Sequence, residues 1–549
     1  MPIDTSNKEA LWQSWTKVQS DRAVVESTWE DIVYFTNPRK RGVVSAITPG
    51  QHIPSDVYDA TATQSNITLA AGLAAFLTNP AQMWSELRAR RAGKQIFDID
   101  AEENIWLADV NDAVHMHLRE SNFYQQIHEA YLDFGPFGTA SLYEEEDEIE
   151  QIRFFARHPK EIYALQNSRG RIDTVFRYFD MTSYEAYDFF GKEALPEQIR
   201  RCVEEARDYV KMFKFLHIVA PRSKRVVGSK NSKDKPIASI WIAECTKDVI
   251  REGGFDEMPF FVARFYKNSQ EVYGYGAGHA VYPDIRMLND LSKVYYESAE
   301  VSIFPPSMVE HDSIVGSLDF RAKALNYQKQ ELSRGLAVQP LLNGANLQIG
   351  IDFLERVEAK VEKAFFVDLF LALRQTKRMT ATEVLEISQE RMFMLGPVLG
   401  RLQNELLTPL ISRTINILAR RGKLPQPPAS LEGVEYEVVY VSPLARAQRA
   451  MQVRDMRSFM LAVSEMAAFA PDVIDNIDTD VAVRELSEMH SVSPKILNSD
   501  DEVDAIRKAR QEQLAKQAMM ATMQQGAQTA RDAGSAAKDF AAATVPTGA

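Results

Sequence analysis

A change of hydrophobic period part-way along the chain constrains the fold most. Between Ala140 and Phe265 the pattern breaks into short strand-like runs, while the flanking sequence repeats at helical spacing. Strands are expected at Ser141–Tyr143, Ile152–Ala156, Thr174–Phe179, Phe213–Ala220, Ser239–Glu244 and Phe260–Phe265, with helices over 183–191 and 196–212. A stretch of this kind inside a helical chain predicts an α+β, helix-dominated fold.

The helices that precede it are legible from their stops. Leu11, Trp15, Val18, Val25, Trp29, Ile32 and Val33 form one apolar stripe over residues 5–37, which Asn37-Pro38 ends. A second helix over Tyr58–Leu77 has an interior of Ala70, Ala71, Gly72, Ala74 and Ala75, small enough for close packing, and stops at Asn79-Pro80. A third covers about 103–134.

Beyond the strand region, Pro283 and Asp284 suit the first turn of a helix over 283–302, and Phe304-Pro305-Pro306 ends it. Turn-rich, strand-like sequence runs to Gly350, and a helix of similar length follows over 351–370. Two matched helices therefore bracket a small insert. Thr380-Ala-Thr-Glu383 has capping-box spacing and opens a long helical pattern. Pro397 and Pro409 lie inside it, and each removes an intrahelical hydrogen bond, so kinks or breaks are expected at both. Arg420-Arg421-Gly422 is a matched helix ending. A strand is read at Val434–Val441 and helices over 444–510; from about 511 the chain is Ala/Gln-rich, with a mobile end expected.

Composition bounds the chemistry. The chain has 549 residues, room for three or four domain-sized units. Lys+Arg number 63 against 76 Asp+Glu, a formal charge of −13, which disfavours a DNA-coating role. Cys202 and Cys245 are the only cysteines, too few for a disulfide framework or a four-cysteine zinc site, and point to a reducing compartment. No signal peptide or membrane span is read.

Catalytic motifs are missing: there is no P-loop and no Gly-x-Ser-x-Gly elbow. Gly274-Tyr-Gly-Ala-Gly278 imitates a dinucleotide fingerprint, but His279 stands where the third glycine belongs, so a turn of closely approaching backbones is the better reading. His115 and His117 point to different faces of one helix and are poor co-ligands with each other or with His128. Asp98 and Asp100, and Asp475, Asp478 and Asp480, form no nuclease-like arrangement. The run Glu144–Glu148 reads as a solvated strand end or turn. No catalytic residue, cofactor or metal is assigned.

Several stretches stand together as an ordered set: Asp59-Ala-Thr61, Leu77-Thr-Asn-Pro80 with Trp84, Ser121-Asn-Phe-Tyr124, and Asp133-Phe-Gly-Pro-Phe-Gly-Thr139. Tyr273-Gly274, Pro283–Asn289, Met379–Val384, Leu395-Gly-Pro-Val398, Arg401-Leu-Gln403 and Ser442-Pro-Leu-Ala445 continue it, in order, over roughly residues 10–500. Together they resemble the portal, or head-to-tail connector, of short-tailed, T7-like bacteriophages. Tyr275 departs from the basic residue expected there, and Ala277-Gly278 from Ser-Pro.

The resemblance implies a portal fold: an α+β wing (1–278), stem helix 1 (279–303), a small β-containing clip (304–350), stem helix 2 (351–366) and a tunnel loop (367–380). A wing segment with the kinked helix and a return strand (381–443), a helical crown (444–510) and a partly disordered tail (511–549) complete it. It also implies a dodecameric ring at one capsid vertex, conducting dsDNA during packaging and ejection. Its partners would be the terminase large subunit, scaffolding and major capsid proteins, then tail adaptor and nozzle proteins, and internal core proteins, with no membrane and no hydrolysis of its own. The protein would be made in the host bacterial cytoplasm and end in the virion. Twelve copies would carry a formal charge of about −156, a wall that repels DNA and lets it slide.

On this reading Arg374, Lys377 and Arg378 make transient phosphate contacts in the channel; pairing with acidic neighbours at a subunit interface is the alternative. Glu355, Glu358 and Glu362 face Arg356, Lys360 and Lys363 across the stem of neighbouring subunits, unless they are simply solvated. The competing class is a helical scaffold or internal virion protein without a channel; an enzyme ranks third.

Overall fold

The computed structural model describes residues 7–44, 50, 56–90, 101–222, 224–226, 228–229, 231–311, 319–329, 338–340, 347–372, 395–428, 435–441, 443–467, 469–489, 496, 498 and 500–543. In chain order the elements are α1 (Lys8–Thr36), α2 (Thr61–Leu77), β1 (Ser85–Arg90), α3 (Ala101–Glu120), α4 (Phe123–Leu132) and the short α5 (Phe134–Phe137). Then come β2 (Thr139–Asp147), β3 (Gln151–Arg157), β4 (Ile162–Gln166), β5 (Ile172–Thr182), α6 (Ser183–Phe190), α7 (Glu197–Glu204), β6 (Met212–Pro221), β7 (Ile237–Ala243), β8 (Asp248–Phe255) and β9 (Phe260–Arg264). They are followed by α8 (Ala277–Ala280), α9 (Tyr282–Ile303), β10 (Ser307–His311), β11 (Leu325–Lys329), β12 (Val338–Pro340), α10 (Leu347–Ala364) and α11 (Val367–Ala372). Helix α12 (395–402) runs through a π turn (Gln403–Leu407) into α13 (Thr408–Arg420). The last elements are β13 (Glu435–Tyr440), α14 (Pro443–Ala467), α15 (Thr479–Met489) and α16 (Asp500–Ala543).

The chain forms two compact units. The first comprises Met1–Leu87, Val110–Pro425 and Val438–Ala447; the second comprises Arg88–Asp109, Gln426–Glu437 and Gln448–Ala549. The α+β, helix-dominated class expected from the period change stands.

The core of the first unit is layered. The antiparallel sheet β4-β5-β6-β7-β8 buries one face under α1, where Leu11, Trp15 and Val18 meet Phe176, Leu216, Ile218 and Ile240. Trp15 sets its ring edge-on to Tyr163 at 4.5 Å. Arg22, fully buried on the same helix, donates to the carbonyls of Pro159 (3.0 Å) and Ile162 (2.7 Å), so the α1 stripe ends in a satisfied cation rather than an orphan. The sheet's other face receives the three-stranded sheet β3-β2-β9 through Tyr143, Phe260 and Val262 against Val175 and Val219. Helices α6 and α7 and the loop between them close one end with Ala186, Ile199 and Leu195. A Thr182–Glu185 capping box starts α6.

Among the described residues the expected helices and strands are present with shifted ends, and β1, β4 and β8 add to the strands read from the sequence; the Thr380–Glu383 cap, the start of the helix it opens, and Asp98 and Asp100 lie outside the described residues. β8 has Gly253 and Gly254 at its end, which hide it from a propensity reading. Beyond 511 α16 continues unbroken to Ala543, because Ala, Gln, Met and Lys favour helix even without a core to join. In the second unit Arg507 holds Asp480 with two short bonds (2.6 and 2.7 Å), joining α16 to α15.

Candidate functional site

Helices α9 and α10 pack as a hairpin, and the chain between them makes a sheet of its own. Pro283 and Asp284 occupy the first turn of α9, where a missing N–H costs nothing and a carboxylate meets the positive helix end. Ile285 and Leu288 of α9, and Val357 and Val361 of α10, are buried. Asn289 accepts from the Tyr58 N–H (2.7 Å) and donates to the Asp56 carbonyl (3.1 Å), fixing the base of the hairpin. In the insert, β10 pairs in parallel with β11 and antiparallel with β12, giving the order β11-β10-β12.

The outer side of α9 is unusually apolar for an exposed face. Met287 and Val294 stand in the open, and with Pro283, Arg286, Asp290 and Leu291 they line a groove of about 470 Å³. Of the charges on α10, Lys360 lies 3.7 Å from Asp284 of the same chain. Glu355, Arg356, Glu362 and Lys363 are exposed and make no ion pair among the described residues, and Glu358 is half-buried. Partial burial and the nearby Asp59, Glu362 and Glu355 push the Glu358 carboxyl up.

The α12–α13 helix is gripped at two points. Val398, Leu402, Leu406, Leu410 and Thr414 follow one another at steps of four, and all are fully buried. On a straight α-helix each such step drifts by about 40°, or about 160° over the series. The wider π turn at Gln403–Leu407 takes up part of that drift, so both halves keep one buried face. Thr408 closes the turn by donating its N–H to the Gln403 carbonyl, five residues back. Within it Glu405 accepts from Arg264 Nη2 (2.6 Å), Nε (3.1 Å) and the Arg264 backbone N–H (3.0 Å). The Tyr440 hydroxyl, 2.7 Å from Thr408 Oγ1, packs beside it. Pro409 follows in the first turn of α13, and the helix continues through it; Pro397 lies exposed in α12.

The second grip lies one helical turn on. Arg413 is buried and donates to the Glu257 carbonyl (2.9 Å), with its Nε 3.6 Å from Glu144. Thr414 donates to Glu144 Oε1 at 2.8 Å. Arg420 reaches Glu146 and Glu257, both at 2.9 Å. The acidic run is the end of β2 and the turn after it, with Glu146 and Glu148 exposed as a solvated strand end should be, but alternation turns Glu144 inward, where it is fully buried. Burial pushes its carboxyl up to about 7, against the opposing pull of Arg413 and the Thr414 hydrogen bond. A sequence reading misses Glu144, Arg264, Glu405 and Arg413 because each partner lies far off in the chain. The only local signals are the repeated step of four and an arginine within an apolar helix stripe.

The glycine turn has the packing role expected of it. A Cβ on Gly276 would lie 1.9 Å from the Phe134 carbonyl, and one on Gly274 would lie 2.4 Å from that of Gly138. Backbone meets backbone there, with Phe265 donating its N–H to the Gly138 carbonyl at 2.9 Å. His115 is buried within reach of Ser85 Oγ (3.0 Å), and burial lowers it to about 4. Among the described residues no group of three or more metal-ligating side chains converges, and no helix is long and apolar enough to cross a membrane. Arg374, Lys377 and Arg378 lie outside the described residues.

Comparison with known proteins covers nearly all of this architecture. The family model for the bacteriophage head to tail connecting protein matches residues 8–497. The chain is 28% identical to the portal protein of Salmonella phage epsilon15, over 96% of this chain and 95% of that one. It is also 28% identical to the probable portal protein of Bordetella phage BPP-1, over 97% and 96%. With a family match that spans the layered core, the α9–α10 hairpin and the clamped helix, this chain belongs to the bacteriophage head-to-tail connecting proteins.

Proposed function

We propose that this protein is the portal of a short-tailed phage: a ring of identical subunits at one capsid vertex, through which dsDNA is packaged and later ejected. The observation that carries the reading is the α9–α10 hairpin with its three-stranded insert, set in a chain similar to portal proteins along nearly its full length. The hairpin would serve as the stem and the insert as the clip, where the terminase large subunit docks first and tail adaptor and nozzle proteins later. The layered α+β body would be the wing, and the helices after 443 a crown toward the capsid interior and any core proteins. Scaffolding and major capsid proteins would meet the ring from the outside. The role is that of a conduit, and no hydrolysis is assigned to it.

The exposed ridge of α9 supports assembly. A lone subunit leaves Met287 and Val294 in water, and a ring of twelve copies would cover them with a neighbouring stem. The exposed charges Glu355, Arg356, Glu362 and Lys363 would then face that neighbour. The 367–380 segment, which opens with α11 and carries Arg374, Lys377 and Arg378, would line the channel. Electron microscopy of the purified protein with mass measurement tests this. Closed rings with a central hole and a mass near twelve times 62.1 kDa are expected. A monodisperse monomer that stays monomeric with scaffolding protein present would overturn it.

A further inference from the structure

Between the two sheets of the first unit, two buried polar atoms face each other's strand without a partner. Ser141 and Arg157 are directly opposed in the β2–β3 ladder. They share a sheet face with Tyr143 and Phe155, the next opposed pair, and Tyr143 and Phe155 pack into the apolar cluster between the sheets. Ser141 is 2% exposed. Its Oγ and the Arg157 Nε are both buried and have no hydrogen-bond partner.

The surroundings supply donors rather than acceptors. The Arg157 guanidinium lies 4.4 Å above the Phe155 ring and has no ion-pair partner among the described residues. Arg177, on the facing sheet, stacks over Phe179 at 3.5 Å and spends its Nε on Glu161 (3.1 Å). Arg153 also approaches Phe155, at 5.8 Å. Two carboxylates face this group: Glu161, already engaged by Arg177, and the half-buried Glu145, which forms no ion pair among the described residues. Three guanidiniums and a serine hydroxyl thus meet two carboxylates, one already engaged. A desolvated guanidinium N–H without an acceptor, as at the Nε of the half-buried Arg157, is costly, and the fork geometry suits a carboxylate or phosphate. Burial and repulsion from Arg177 lower Arg157 to about 10.

We propose that Ser141 and Arg157, supported by Arg177, form an oxyanion site on the inner face of the β2–β3 hairpin. Its ligand is a small oxyanion, either free phosphate or a carboxylate presented by a second copy of this chain. The hydroxyl and Nε–H donate to one oxygen, and the outer nitrogens of the guanidinium hold the others.

Thermal unfolding of the full chain tests this, with potassium phosphate replacing potassium chloride at constant ionic strength. In the dispersed wild-type chain the midpoint should rise with phosphate and saturate. Ser141→Ala should weaken the apparent affinity roughly fivefold, the loss of one hydrogen bond. Arg157→Gln should abolish the response, and Lys224→Gln, on an exposed loop, should keep it. Assembled rings distinguish the sources: a retained response assigns the site to free phosphate, and a response lost on assembly assigns it to a neighbour's carboxylate. No phosphate-specific rise in the dispersed chain, or an equal rise in Arg157→Gln, overturns the proposal. Should Arg157→Gln fail to fold, phosphorus NMR line broadening of inorganic phosphate by wild type and Ser141→Ala decides in its place, and equal broadening by both overturns it.

Discussion

Glu144 is a buried carboxyl whose compensation comes from one guanidinium and one hydroxyl, Arg413 and Thr414. Removing the cation pushes that carboxyl further up and leaves it protonated at pH 7, so Arg413→Met costs the protonation and the hydrogen bond to the Glu257 carbonyl, about 1–3 kcal/mol by denaturant unfolding at pH 7. The pH dependence has a definite sign. Folding raises the Glu144 carboxyl from its ordinary value to about 7. Its favourable state is therefore fully present below about 4.5 and is lost as pH rises toward 7. The stability of wild type relative to Glu144→Gln should fall across that window, and a flat difference would contradict the burial argument. His115, His158 and His279, all lowered to about 4 by burial, work in the opposite sense: their contribution is present above about 6.5 and is lost as pH falls toward 4. The difference between wild type and Glu144→Gln isolates the carboxyl because the histidines are common to both. Gly276 belongs to the same scale. Gly276→Ala would press a methyl onto the Phe134 carbonyl, and loss of expressed, folded protein is the expected outcome.

Among the elements, the clamped helix shows how an ion pair and a helix irregularity depend on each other. The π turn places Glu405 where Arg264 can hold it with three hydrogen bonds, and those bonds hold the turn. Glu405→Ala leaves the buried Arg264 with neutral acceptors, the Val272 and Gly170 carbonyls and Gln166, in place of a carboxylate. We expect a loss of about 3–5 kcal/mol, together with faster amide hydrogen exchange centred on 403–407. Pro409 is a gentler case. The sequence presents it as a helix breaker, but it occupies the first turn of α13 behind the π turn, where a missing donor costs little. Pro409→Ala should therefore change stability by less than about 1 kcal/mol in the same unfolding assay. A loss of several kcal/mol would mean that the ring of Pro409 itself holds the turn.

For the whole molecule the predictions concern assembly and DNA. Placing a carboxylate on the exposed ridge of α9, as in Val294→Asp, should leave the monomer folded and prevent ring closure, read by mass photometry and circular dichroism together. Neutralising Arg374, Lys377 and Arg378 should reduce the DNA packaged or retained per particle. Unchanged packaging and retention would remove the channel-contact reading and favour interface pairing. Both experiments address the proposed conduit as an assembly, since a ring of acidic subunits would steer DNA by its summed charge more than by any one contact.

Much of this protein was legible in one dimension. Helical stripes, the Asn-Pro stops, the β-period region and the pair of helices around an insert follow from spacing that local physics imposes on any chain. The ordered set of motifs along residues 10–500 carried the family, which the match over 8–497 bears out. Strands such as β4 and β8 escaped because cross-strand neighbours, rather than intrinsic preference, hold them in place. Tertiary structure alone decided which charges are buried. Nothing near Glu144 in the sequence separates it from the exposed Glu146; inward alternation and the arrival of Arg413, some 270 residues later, make the difference. The same holds for Arg264 with Glu405 and for Ser141 with Arg157. Burial and pairing are properties of neighbours in space, and the sequence specifies those neighbours only through the completed fold.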